Sequence, residues 1–384
     1  MSLDEIRQRR IATTHTGSLP RPAALSALLF RDKPEEAEEL GRQTRDAVAA
    51  IVAKQLELGL DVVNDGEQSK KSFQIYALSR LSGVERITPK PGVNVTRENT
   101  AFPVFYKNGV HAGSARQQFA ATGPLAYTGQ AKLAADLDNL KAALKGKTPG
   151  DVFMPSVSPA SLAGQMENRH YKNDEELLHA CAEALRVEYE AIIEAGFQLQ
   201  IDDPRLAMHY MLTPGLDIEG TRAWMAKRVE AINHAIRNIP AERVRHHTCY
   251  GINMGPRTTD LELKHLVDLL HRIRARYLSF ELANPRHEHE WRVWEAVKLP
   301  ADKVLVPGCI THASVIVEHP ELVAERIVRL AKLVGRERVV ASTDCGFAST
   351  LNPAVPPEIE PEIVWPKFAA LVEGARLATK ELWK

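Results

Sequence analysis

Cysteine is scarce: four residues in 384, at 181, 249, 309 and 345. That rules out a disulfide-stapled scaffold and leaves thiol, metal-ligand or core roles in a reducing compartment. An excess of one charge sign is missing as well, since 49 Lys and Arg balance 49 Asp and Glu. No dense basic block stands out, so neither a nucleic-acid partner nor an anionic lipid surface is expected, and a small molecule is. No apolar run approaches the ~18–20 residues of a membrane span, and the opening MSLDEIRQRR holds no apolar core of signal-peptide type. A cytoplasmic location without a membrane partner is the expectation. Repeats and low-complexity tracts are also lacking. What the chain does have is 44% hydrophobic and 26% charged residues, ordinary for a globular fold and enough for a closed core.

Short apolar or β-branched runs alternate with long amphipathic stretches, the pattern of a parallel sheet wrapped by helices. The strand candidates are 11–16, 61–64, 152–155, 198–202, 244–249, 277–281, 304–310 and 339–344. The clearest helices are 36–58, 173–195, 221–237, 261–274 and 318–334, with 365–382 closing the chain. Eight strands alternating with helices predict a (β/α)8 TIM barrel, where a doubly wound sheet more often stops at five or six. We therefore expect one catalytic barrel over residues 1–384. Residues 89–129 fit no crossover helix. They contain AFPVFYKNGVHAG, whose Asn108-Gly109 is a hairpin-turn signal, and are expected to form an inserted hairpin excursion after the second strand. The Pro-rich NPAVPPEIEP at 352–361 is expected to be a surface loop.

In such a barrel the loops after the strands build the active face. Ligand-capable residues gather there: Gly17-Ser18, Asp65-Gly66-Glu67, Asp202-Asp203, His247 and Cys249, Glu281, Cys309 and His312, and Asp344-Cys345-Gly346. Any one of these could be a helix cap. Seven together favour a shared site.

The sharpest constellation is His247-x-Cys249, with Glu281 and Cys345 further on. One imidazole, two thiolates and a carboxylate make a tetrahedral Zn2+ set, and residues two apart on a strand share a face. The alternative is that both cysteines are small buried hydrophobes and His247 a core histidine. Closure of three strands on one side of the barrel by Cys249, Glu281 and Cys345 favours zinc. Cys181 falls inside a helix and is read as structural, and Cys309 has no partner by spacing.

The same residues carry a family resemblance. THTGSLPRP at 14–22, NDGEQSKKSFQIY at 64–76, QIDDP at 200–204, HHTCYG at 246–251, FELANPR at 280–286 and STDCGF at 342–347 resemble the catalytic C-terminal half of cobalamin-independent methionine synthase. That half is a zinc (β/α)8 barrel of the uroporphyrinogen-decarboxylase-like group. The resemblance implies zinc on His247, Cys249, Glu281 and Cys345, and homocysteine held by Ser18, Glu67 and Asp202. The chemistry agrees: two carboxylates suit an ammonium group, and zinc makes a thiol a nucleophile at neutral pH. Glu281 is expected in the exchangeable position, since oxygen holds zinc less firmly than thiolate.

There are departures. The resemblance covers the catalytic barrel alone, so a chain without the family's second, N-terminal barrel is expected, and the stretch matching the folate-stacking tryptophan reads MPSVSPASL at 154–162, without an aromatic. His312 lies one residue from the register of the family's proton-donating histidine and is the candidate acid. His15, His287 and His289 are subfamily features placed near the mouth and given less weight. The expected function is zinc-dependent transfer of a methyl group to homocysteine, forming methionine. The donor candidates are methyl-folate, a methyl-corrinoid carrier protein or an epoxide. The alternatives are an epoxyalkane:coenzyme M transferase, a metal-free porphyrinogen decarboxylase of the same fold group, and a metal-binding barrel without catalysis.

Overall fold

The structure is a computed structural model that describes residues 1–88, 95–107, 118–251, 255–348 and 359–384. In chain order its strands are β1 (Ala12–Thr13), β2 (Val62–Val63), β3 (Leu81–Ile87), β4 (Gln118–Tyr127), β5 (Asp151–Val157), β6 (Met166–Asn168), β7 (Gln198–Asp202), β8 (Val244–Thr248), β9 (Tyr277–Phe280), β10 (Val304–Ile310) and β11 (Val340–Thr343). Eight of them pair side by side, all parallel, in the order β1-β11-β10-β9-β8-β7-β5-β2. The two ends of that order meet: Asp61 N–H donates to Thr13 O at 3.1 Å, and Thr13 N–H to Asp61 Oδ2 at 2.9 Å. Each of the eight expected strands has its counterpart, and the result is the (β/α)8 barrel.

The barrel has two apolar layers. Outside, strands and helices share one large core that includes Val63, Leu199, Phe280 and Leu305. Inside, Ala12, Val62, Phe153, Tyr277, Val304, Val306 and Val340 pack with Leu3 and Ile6. Those last two come from the helix Leu3–Arg7, which closes the end where the strands begin. Ser2 and Glu5 start that helix with a reciprocal capping box.

Crossover helices follow the expected segments closely: Ala37–Glu57, Asp174–Glu194, Pro320–Val334 and Pro361–Leu382. Where 221–237 was expected, the helix is Ile218–Ala235, because the Asp217 side chain accepts from Gly220 N–H at 2.7 Å and starts it earlier. The expected helix 261–274 is broken into a 3-10 turn, Leu263–His265, and a short helix, Val267–Arg272, by the non-helical backbone at Leu266, φ −123 and ψ −19. One crossover helix, Gln130–Leu144, was not anticipated, although Leu133, Leu137 and Leu140 mark its buried stripe.

After β2 the chain leaves the barrel. β3 and β4 pair antiparallel and β6 adds to β4, a three-stranded sheet beside the barrel. The expected excursion at 89–129 thus starts earlier, at β3, and includes the helices Arg97–Ala101 and Pro103–Lys107. The Asn108-Gly109 turn and most of the Pro-rich loop at 352–361 lie outside the described residues. A buried polar network ties the small sheet down: Arg80 reaches Asp136 at 2.6 Å, and Tyr127 OH and Ser156 Oγ donate to the two oxygens of Glu188 at 2.7 and 2.6 Å.

Candidate active site

Inward-facing positions of β8 alternate as Arg245, His247 and then Cys249. Arg245 lies over the Phe153 ring, 3.9 Å from its centroid, on top of the inner apolar layer. His247 stands one step higher, and the β7–β8 register sets Asp202 directly beside it. Asp202 Oδ1 is 2.9 Å from His247 Nδ1, and the other ring nitrogen, Nε2, is 3.4 Å from Asp344 O. Cys249 and Cys345 meet above, sulfur to sulfur at 3.1 Å. Donor atoms of His247, Cys249 and Cys345 all lie within 4.8 Å of one another, and all three residues are buried.

The electrostatics suit a cation. Burial works against a charged His247 ring, yet the Asp202 hydrogen bond and the Cys249 charge raise it to about 9. Hydrogen bonding to Cys249, together with burial, pushes the Cys345 thiol well up. Gly251 N–H points at Cys249 Sγ from 3.1 Å. Two sulfurs and an imidazole nitrogen form a set that fits Zn2+, with Asp202 orienting the ring from behind. A second group, His179, Glu183 and His234, lies on the outer helices. There Arg237 and Arg186 pair with Glu183 at 3.0 and 3.2 Å, and their charge opposes a dication.

Glu281 stands outside the three-residue group. Its Oε1 accepts from Tyr250 N–H at 3.0 Å, while Oε2 faces Asn284 Nδ2 and Arg257 Nη1, both at 2.8 Å. Asn284 also donates to Asp344 Oδ2 at 3.1 Å, and Asp344 Oδ1 accepts from Leu282 and Ala283 N–H at 2.7 and 2.8 Å. Asp344 thereby reaches past β10 to the loop after β9. It can do so because residue 308 is glycine: a Cβ there would sit 1.9 Å from Asp344 Oδ1.

The other side of the mouth belongs to the first two strands. Gly17 has φ +144, and a Cβ on it would meet Glu67 Oε1 at 2.6 Å, so the Glu67 carboxylate lies against bare backbone. Burial raises the Glu67 carboxyl to about 7, with Asp202 and Asp65 adding to it and Lys70 and Arg21 opposing. Ser18 Oγ accepts from Ala348 N–H at 3.2 Å, tying the first loop to the loop after β11. Arg21 bonds Glu67 O and Ala348 O across the same seam. The chain thus brings Ser18, Glu67, Asp202, His247, Cys249 and Cys345 to one end of one barrel.

With this geometry in hand, the profile of the "Cobalamin-independent synthase, Catalytic domain" family matches residues 159–360, more than half of the chain. The chain belongs to that family. It is 26% identical over 380 residues to a methionine synthase of Saccharolobus islandicus, covering 97% of this chain and 96% of the relative. In structure it is similar to a B12-independent methionine synthase from Shewanella sp., solved in complex with selenomethionine. The TM-score is 0.73 at 21% identity, covering 97% of this chain and 99% of that one.

Within this family member the remaining histidines divide sharply. His312 is buried, neither ring nitrogen has a hydrogen-bond partner among the described residues, and burial lowers it to about 4. At neutral pH it is therefore an uncharged imidazole, and the proton it could give is that of a neutral N–H. His15 packs between Phe153 and Phe368, accepts from Gly17 N–H and bonds Gln55, so it belongs to the core. His287, read as a loop residue of little weight, is buried between Asp260 and Glu290 and stacks on Tyr250. Hydrogen bonds to both carboxylates outweigh burial and raise it to about 9. His289 is exposed. In the stretch without an aromatic, Ser158 and Ser161 are committed to Asp203, at 2.6 and 3.2 Å. Sequence reasoning missed Arg257 and Asn284. Asn284 stood inside the quoted FELANPR motif, whereas nothing in the pattern around Arg257 marked it.

Proposed function

We propose that this chain is a zinc-dependent S-methyltransferase that moves a methyl group onto homocysteine and forms methionine. The observation that carries the reading is the convergence of His247, Cys249 and Cys345 beside two carboxylates, Asp202 and Glu67. Zinc on the three donors would lower the pKa of an incoming thiol and make it nucleophilic at neutral pH.

The chain's own residues do the rest. Asp202 and Glu67 attract the ammonium group of the amino acid, and the ionised Glu67 that this requires is stabilised by the bound cation itself. Ser18 and the backbone of the first loop lie on the side where the carboxylate would rest. Asp202 keeps the His247 proton on Nδ1 and leaves Nε2 as the donor. Burial of all these groups keeps competing water away from the reacting sulfur. The selenomethionine in the Shewanella relative is the selenium analogue of the proposed product.

The test is direct. Protein substituted with Co2+ is titrated with homocysteine and with coenzyme M while the visible spectrum is followed. Labelled methyl-folate, a methyl-corrinoid carrier and an epoxide are then offered as donors in parallel. A spectral change with homocysteine, and label in methionine from one of the methyl donors, support the reading. Tight response to coenzyme M with none to homocysteine overturns it in favour of the epoxide transferase.

A further inference from the structure

We propose that Lys70 is a positioning residue for Glu67: its tethered ammonium holds the carboxylate in place by charge and leaves the carboxylate oxygens open to accept from the ammonium group of an amino-acid substrate. The proposal rests on the homocysteine reading above and adds to it the residue that fits Glu67 for that task.

Three observations carry it. First, the Glu67 side chain is buried, yet among the described residues none donates a hydrogen bond to its carboxylate. What stands beside it is the Lys70 ammonium, 3.9 Å from Oε2. That is near enough for attraction and too far for a hydrogen bond, so the oxygens keep their acceptor capacity for a ligand. Second, the ammonium is anchored elsewhere. Lys70 is itself buried, and its Nζ donates to Pro155 O on β5 at 2.7 Å. The same Nζ lies 5.0 Å from the centroid of the Tyr76 ring, which also carries the Arg80 guanidinium at 3.5 Å. Third, the backbone under Glu67 is held against strain. Glu67 has φ +55, a region that residues with a Cβ rarely adopt. Its N–H donates to Asp65 Oδ1 at 3.0 Å, and its carbonyl accepts from Lys70 N–H at 3.0 Å and from Arg21 Nη2 at 2.8 Å. Strain of this kind persists where the surroundings over-determine it, and it gathers at ligand clamps.

The charges around Glu67 leave this role to Lys70. Burial works most strongly against the ionised carboxylate, Asp202 and Asp65 add to that, and Lys70 and Arg21 oppose it. Arg21 directs its guanidinium at the carbonyls of Glu67 and Ala348, so Lys70 is the cation that faces the carboxylate itself.

The experiment is a calorimetric titration of the zinc-loaded protein from about pH 6 to 9, with homocysteine and with the analogue that lacks only the amino group. Both ligands carry the thiol, so the analogue reports any pH dependence that belongs to metal and sulfur. In Lys70→Gln, whose amide can still donate to Pro155 O, the rise of homocysteine affinity moves up by about one pH unit, and binding at pH 7 is about tenfold weaker. The analogue binds that variant and the wild type alike. Lys70→Arg keeps the charge and restores homocysteine affinity to within about threefold. If Lys70→Gln leaves the rise where it is, or weakens both ligands equally, Lys70 is only a structural tie and the proposal is overturned. Where Lys70→Gln does not fold, Lys70→Met supplies the same comparison. A wild type that ignores homocysteine at every pH is the separate result that sinks the reading beneath, and the proposal with it.

Discussion

Asp202 Oδ1 stands 2.9 Å from His247 Nδ1, so the carboxylate proposed to hold a substrate ammonium also touches the imidazole proposed as a metal donor. Gln200 Nε2 holds the same oxygen at 2.9 Å from the other side. Under the proposed function, the role expected of Asp202 from resemblance, gripping the amino acid, is joined to a second one, orienting the His247 ring.

Asp202→Asn should separate from Glu67→Gln on this basis. The first should weaken both homocysteine and metal, metal by roughly ten- to a hundredfold, the usual cost of losing an outer-shell partner. The second should weaken homocysteine and leave metal content unchanged. Zinc content after dialysis against a chelator checks the pair, and equal retention by both variants would refute the double role.

The pH dependence of binding should follow Glu67. Its carboxyl is raised to about 7 from 4.5, so it holds a proton at mildly acidic pH and ionises only as pH climbs through neutrality. An ammonium ligand prefers the ionised form, so homocysteine affinity should rise between about pH 6 and 8. Calorimetric titration across that range tests it. In Glu67→Gln the slope should vanish.

Stability should fall at high pH through His287. Its folded pKa of about 9 exceeds the ordinary 6.5, so its pairing with Asp260 and Glu290 stabilises fully below the lower value and is lost as pH rises through about 9. The urea midpoint should drop between pH 7 and 10. His287→Asn should be less stable at pH 7 and flatter with pH, and a parallel drop in both proteins would argue against this source.

Gly17→Ala should damage thiol binding while sparing the metal. The added Cβ would press on Glu67 Oε1 at 2.6 Å in a backbone region that alanine resists. Overpacking of this kind costs roughly 1–3 kcal/mol of stability. Circular dichroism and zinc content should stay close to wild type, with the loss showing in the homocysteine requirement.

How much of this was legible follows from the kind of signal involved. The eight strands were readable because each is a short apolar run before a polar end, and His247 and Cys249 were readable because a two-residue spacing on a strand means one face. The inserted sheet was only partly so. β3, LSGVERI, has little alternation, since its partner is a small sheet with two half-exposed faces. The helix Gln130–Leu144 has its leucine stripe, yet it lies just past the expected 89–129 excursion in a stretch given no element of its own. Arg257 could not be read at all. It is brought to Glu281 by a loop whose path depends on Glu98, far away in sequence, and long-range pairing of that sort leaves no local period.

The bare backbone at Gly308 has an evolutionary corollary. Because the Asp344 side chain occupies the space that a Cβ at 308 would need, the two positions are not free to mutate independently. A lineage that acquires any side chain at 308 must first shorten or redirect residue 344, and with it surrender the two amide contacts that hold the loop bearing Glu281. The order of substitutions along such a lineage is thereby constrained, and the two sites should change as a pair or not at all.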